Sequence, residues 1–172
     1  LPLVGIEPAV KPAAQNHRGE KVAVMATPLT LHEEKFKQLV KRYENLATII
    51  PVPCPDLVEY VEKGILEGPE LEGYLKDVLK PCLQEGVKAV VLGCTHFPLV
   101  KAAIGKVVGE SVRIYDGGEG TARQAKCLLA AKNLCTDQEK GHICFESSAP
   151  EKEAYYEALY RKAAHIDSRV KL

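Results

Sequence analysis

The chain is 172 residues long, enough to bury one substantial core or one domain with part of another, and 46% of it is hydrophobic against 27% charged. Lys+Arg and Asp+Glu both total 23, and with no net charge and no basic run there is no electrostatic footprint for nucleic acid or an anionic membrane surface. No stretch approaches the roughly 20 apolar residues that cross a bilayer, and the opening LPLVGIEPAVKPAAQNHRGE lacks the charged start and long apolar region of a signal peptide.

The chain opens on Leu1 rather than Met, which suggests a piece of something longer. Cys54, Cys82, Cys94, Cys127, Cys135 and Cys144 form no C-x-x-C pair, and no His pair stands beside them at zinc-ligand spacing. A reduced, cytoplasmic protein with mostly buried thiols and no metal site is the expectation.

Strand-length apolar runs alternate with helix-period segments, the βα pattern of a parallel sheet, so the fold class is α/β. Lys21 to Met25 reads as a buried strand leading into Ala26-Thr27-Pro28-Leu29-Thr30. The next helix has Phe36, Leu39, Val40 and Tyr43 on one face, and Thr30 with Glu33 makes a capping box that starts it. Thr48 to Val52 is a second strand, followed by Cys54-Pro55 and a helix with Leu57, Val58, Val61 and Ile65. After Pro69 a third helix spaces Leu71, Tyr74, Leu75, Val78, Leu79 and Cys82 by threes and fours, and Gly86 is placed to end it.

Val87 to Leu92 is the most strongly apolar strand; it runs into Gly93-Cys94-Thr95-His96-Phe97-Pro98, and a helix resumes through Val100, Ala103, Ile104 and Val107. Another unit follows: strand Val112 to Tyr115, a glycine turn Asp116-Gly117-Gly118-Glu119-Gly120, and a helix through Leu129. Thr136 to Gly141 is polar and turn-like. His142 to Phe145 reads as a strand, and Pro150 to Ala164 as an amphipathic helix bearing Tyr155, Tyr156 and Tyr160.

Ligands of open α/β sheets bind outside the carboxyl ends of the strands, and two segments there carry useful chemistry: Thr27 to Thr30 and Gly93 to His96. Cys94 lies between a glycine, which allows a tight turn, and a helix start whose free N–H groups favour a thiolate. His96 could hydrogen-bond the thiol, and Thr95 could join backbone N–H groups in holding a carboxylate. Taken alone, the motif leaves a buried structural cysteine open. Cys54 has similar placement without a histidine neighbour; Cys82, Cys127 and Cys144 read as core, and nothing selects Cys135. His17, His32, His142 and His165 read as surface positions, and Glu7 and Asp116 as loop caps or site residues. The Asp116 to Gly120 segment matches no dinucleotide or Walker fingerprint.

Val91-Leu92-Gly93-Cys94-Thr95-His96-Phe97-Pro98-Leu99 resembles the second-cysteine motif of bacterial glutamate racemases. Relatives in the wider aspartate/glutamate racemase superfamily commonly place Glu after the Cys-Thr pair, so His96 points to the glutamate branch. Val4 to Pro12 is similar to the segment where that family's chain enters its second domain. Ala26 to Thr30 resembles the family's threonine loop, which binds the substrate's carboxylate or amine region. Cys54-Pro55-Asp56-Leu57-Val58-Glu59 with Glu62 and Gly64 is similar to another stretch, whose glutamate, here Glu62, is associated with supporting the histidine. The likeness runs from Val4 to about Leu129.

The resemblance implies a three-layer parallel-sheet domain of the aspartate/glutamate racemase type over residues 1–110. Residues 111–172 would complete part of a second, similar domain. It implies cofactor-independent inversion of glutamate by two cysteines, one on each face of Cα. Cys94 would be one of them, with His96 tuning it, Thr27, Thr30 and Thr95 binding substrate, and Glu62 in support. The product would serve peptidoglycan synthesis, and the resemblance leaves room for a homodimer of the full-length enzyme. The family's Asp-Ser, Pro-Tyr-Gly and Cys-Asn-Thr motifs do not occur here. This chain alone is therefore expected to be inactive. A Cys-His nucleophilic enzyme and a small-anion or amino-acid-binding domain using Thr27, Thr30 and Gly117-Gly118 are the alternatives.

Overall fold

Four strands, β1 (Lys21–Ala26), β2 (Thr48–Pro53), β3 (Ala89–Leu92) and β4 (Arg113–Tyr115), form one sheet in the computed structural model, which describes residues 2–136 and 142–169. Every neighbouring pair is parallel, and the order is β2-β1-β3-β4. β1 beyond Lys21 and all of β3 are buried, the near-continuous apolar runs of strands covered on both faces. β2 lies at the edge, where Pro51 and Pro53 are tolerated because they need donate no ladder hydrogen bond outward.

Alternation along the strands divides the core between two faces. Val22, Val24, Ala89 and Val91 pack with α1 (Val10–Asn16), through Val10, Ala13 and Ala14, and with α3 (Glu34–Tyr43), through Phe36 and Leu39. Ala23, Met25, Val90 and Leu92 turn to the opposite face. There α4 (Leu57–Glu62), α5 (Pro69–Gln84) and α6 (Lys101–Val108) bury Leu57, Val61, Leu71, Leu75, Leu79 and Ile104. The result is the α/β three-layer parallel-sheet fold expected from the sequence.

The chain divides into one unit of Glu7–Gly117 and another of Leu1–Ile6 with Gly118–Leu172. β4 lies in the first, so this sheet takes in residues 113–115. The largest fully buried side chains, among them Phe97, Met25 and Leu57, all belong to that unit. Since burying each such side chain contributes about 1.5–3 kcal/mol, the fold's stability is concentrated there. The second unit holds α7 (Gly118–Ala131) and α8 (Glu153–Arg169), and Leu159 is its buried hydrophobic residue among those described.

Several elements differ from the sequence reading. α1 escapes that reading because Pro8 and Pro12 obscure its period; both prolines sit where the missing N–H costs little, before the helix and in its first turn. The Thr30/Glu33 capping box does not form. Thr27 is instead the N-cap of a short helix, α2 (Pro28–His32), accepting from the Thr30 N–H at 3.3 Å, while Pro28 opens it with a preset φ. Glu33 is extended, and α3 begins after it. The helix expected to reach Ile65 stops at Glu62. There Gly64, at φ 70°, donates to Val61 O and Ile65 to Tyr60 O, the paired bonds of a Schellman cap.

The glycine turn shrinks to Asp116 and Gly117, and Gly118 to Gly120 form the first turn of α7. His142 to Phe145 is irregular rather than a strand, with no partner strand in the sheet among the described residues. The turn expected over 136–141 lies, beyond Thr136, outside the described residues. Cys127 and Cys144, expected in the core, are exposed because the unit that carries them buries little. His17, expected at the surface, is largely buried; its Nδ1 lies 2.7 Å from Glu20 Oε2 and its Nε2 3.2 Å from the Tyr115 hydroxyl.

Candidate active site

Chain order and sheet order together locate a crevice. From β1 the chain moves to β2 on one side, then crosses back to β3 and β4 on the other. The order therefore reverses between β1 and β3, and ligands of open α/β sheets bind at that switch point, outside the carboxyl ends. The loops leaving those two strands are Thr27 to Thr30 and Gly93 to His96. Met25 pairs with Leu92, so Thr27 and Cys94, two residues further along each strand, emerge at the same level.

Gly93 permits this approach by its size rather than by its turn. It has no positive φ. A Cβ placed on it would lie 2.7 Å from Met25 O and 3.3 Å from the Ala26 Cβ, and its own N–H donates to Met25 O at 2.7 Å. β1 and β3 thus stay zipped to the rim, and Cys94 starts at its lip.

Cys94 is half-buried, and its Sγ lies 3.9 Å from His96 Nδ1. His96 Nε2 lies 2.8 Å from Glu62 Oε1. With Glu62 Oε1 as the acceptor, Nε2 is the donor of that contact and Nδ1 is the ring nitrogen that faces the sulfur. Three side chains, two from the loop after β3 and one from the end of α4, thereby form one line, Glu62–His96–Cys94. Glu62 ends α4, and His96 is the N-cap of a single 3-10 turn, Phe97–Val100, that precedes α6. The regular helix expected directly after Cys94 begins only at Lys101, with Pro98 in the tight turn between.

Thr27 and Thr30 are half-buried, and their hydroxyl oxygens are 3.0 Å apart. Thr95 is exposed. Cys54 follows β2, and its N–H donates to Ala26 O at 2.9 Å, which puts it on the same rim. Its sulfur, however, is fully buried and donates to Val52 O at 3.4 Å. Burial first, then the neighbouring sulfurs of Cys82 and Cys94, push the Cys54 thiol up to about 12, so it stays protonated and unreactive near neutrality. Asp116, at the end of β4, accepts from Lys101 Nζ at 2.9 Å. Glu7 is exposed.

Sequence reasoning does not single out Tyr74. It reads as one more member of an apolar helix stripe, yet its hydroxyl accepts from the Asp56 N–H at 3.3 Å, at the start of the helix that ends in Glu62. No local signal marks such a contact across 18 residues. Among the described residues no group of His, Cys, Asp and Glu could hold a metal ion, and no helix is long and apolar enough to cross a membrane.

The chain is similar to the glutamate racemase of Clostridium kluyveri, 48% identical over 140 residues, which are 81% of this chain and 54% of that protein. It is 43% identical to the glutamate racemase of Clostridium perfringens over 153 residues, 88% of this chain and 59% of that one. Among solved structures, Escherichia coli glutamate racemase in complex with L-glutamate and the activator UDP-MurNAc-ala superposes with a TM-score of 0.76 at 30% identity, covering 94% of this chain and 62% of that one. The Francisella tularensis glutamate racemase in complex with D-glutamate gives 0.61 at 26% identity, over 74% and 49%. The chain spans about half the length of the curated relatives it matches. The model of the Asp/Glu/Hydantoin racemase family matches residues 1–125, taking in both strand-end loops and the Glu62–His96–Cys94 line, and the chain belongs to that family.

Proposed function

We propose that the chain supplies one face of a cofactor-independent racemisation of glutamate, with Cys94 as the acid/base. The observation that carries this reading is the Glu62–His96–Cys94 line at the switch point, with contacts of 2.8 and 3.9 Å. Inverting Cα requires removing its proton from one face and returning one to the other, so two groups on opposite sides are needed. In one direction the Cys94 thiolate takes the proton and becomes S–H, while a second thiol gives its proton to the opposite face. In the reverse direction the roles exchange. His96, oriented by Glu62, accepts from the S–H through Nδ1 and holds the sulfur towards the crevice. Thr27, Thr30 and Thr95 bind the carboxylate or amino group. The Cα–H is a weak acid, so positioning and fixed dipoles supply most of the stabilisation.

The second thiol is assigned to the part of the racemase that this chain does not span, since none of the six cysteines here stands in a Cys-Asn-Thr context and Cys54 is buried. Residues 118–172, which follow the unit that holds this sheet, are assigned to the domain carrying that thiol. The scarcity of buried hydrophobic residues after Gly118 supports this, because a segment that completes another core has little of its own. The relatives solved with L- and D-glutamate support glutamate as the substrate. Supply of D-glutamate for peptidoglycan, in the cytoplasm and by a homodimer of the full-length enzyme, follows from the same reading. Polarimetry of L- and D-glutamate with the purified 172-residue chain tests it. No change in rotation is expected, and sustained turnover after chelation and dialysis would overturn the claim of incompleteness.

A further inference from the structure

α4 is only six residues long, yet its last residue, Glu62, holds His96. Something must fix this helix, because a single isolated turn and a half has no stability of its own. Its C-terminal end is held by the Gly64 cap. Its N-terminal end lacks the usual device. Asp56 occupies the N-cap position but makes no side-chain cap hydrogen bond, leaving the first N–H groups to seek another acceptor.

That acceptor comes from a different helix. The Tyr74 hydroxyl oxygen, projecting from α5, takes the Asp56 N–H at 3.3 Å and also interacts with the Leu57 N–H. Tyr60, from the middle of α4, packs against the Tyr74 ring at a tilt of 40°, with centroids 5.2 Å apart. Burial pushes the Tyr74 phenol up to about 12, so it remains neutral across the working range. α4 also lies against the 3-10 turn that follows His96. A shift of α4 along its axis therefore changes the Glu62–His96 contact directly.

We propose that Tyr74 is a positioning residue for the site: by capping α4 from α5, it sets where Glu62 meets His96 and hence how the ring faces Cys94. The inference rests on the reading of Glu62–His96–Cys94 as the acid/base line, but its test does not use catalysis. In the 172-residue chain, Tyr74→Phe keeps the ring and its packing against Tyr60 and removes one oxygen. Hydrogen exchange at the Asp56 and Leu57 amides, and the 15N shifts of the His96 ring, would be measured by NMR in the parent, Tyr74→Phe, Tyr60→Phe and Glu62→Gln.

The expected result is faster exchange at both amides in Tyr74→Phe, by about tenfold if roughly one hydrogen bond of protection is lost. Its His96 ring shifts should move in the direction seen for Glu62→Gln, while Tyr60→Phe leaves them in place. Faster amide exchange with an unmoved His96 ring would reduce Tyr74 to a local cap and overturn the inference, as would unchanged exchange. A His96 ring insensitive to Glu62→Gln would instead contradict the acid/base line itself, and the inference would fall with it.

Discussion

Gly93 stands before Cys94 because no larger residue fits there. Met25 O lies 2.7 Å from where a Cβ would stand. The obstacle is backbone rather than a flexible side chain, so β1 and β3 would have to separate at the rim. Overpacking of this kind costs about 1–3 kcal/mol, so Gly93→Ala should lower the urea midpoint correspondingly and displace Cys94. An unchanged midpoint would show that the rim is slack. Cys54 supports a second prediction. Its thiol is held at about 12 against an ordinary 9.0, chiefly by burial, and Tyr74 at about 12 against 10.0 for the same main reason. Both groups keep in the folded protein protons that the unfolded chain releases sooner. Their contribution is therefore complete below about pH 9 and is lost as pH rises towards 12. Urea midpoints should fall between about pH 8 and about pH 10.5, and less steeply in Cys54→Ala; identical slopes would mean Cys54 is not sequestered.

Among the elements, the loop from Thr27 to Thr30 shows how one side chain serves folding and the site together. Thr27 caps α2 through Thr30 N, so Thr27→Ala should cost about 1 kcal/mol of stability, whereas Thr27→Ser, keeping the oxygen, should cost much less. Chemical denaturation of both variants separates the cap from the methyl group. The strands are legible in the sequence because β1 and β3 are uninterrupted apolar runs, a signal that survives without context. The rim cysteine and its histidine are legible because they lie two residues apart. Less visible are features set by distant partners. α1 owes its place to packing on β1 and β3, which outweighs two prolines in and beside it. The true cap at Thr27 is masked by the Thr30/Glu33 pattern, since a capping box specifies a local option and Pro28 imposes an earlier start. The contact of Tyr74 with Asp56 joins two helices and leaves no periodic trace.

For the molecule as a whole, burial divides the chain unevenly. Glu7–Gly117 holds the sheet, both its covering layers and the large buried side chains, whereas α7 and α8 expose Tyr155, Tyr160, Cys127 and, between them, Ile143 and Cys144. This division is only partly visible in sequence, because α7 and α8 have ordinary amphipathic patterns and nothing local tells how much of an apolar face is covered. Under the proposed reading, the 172-residue chain brings the Cys94 side of the reaction and the remainder of a racemase brings the other. The most direct measurement is polarimetry of L- and D-glutamate by the full-length enzyme with and without Cys94→Ala. Loss of racemisation in both directions by at least about a thousandfold, with the fold intact by circular dichroism, is the expected result. Racemisation within about tenfold of the parent would contradict the assignment of Cys94 to the reacting carbon.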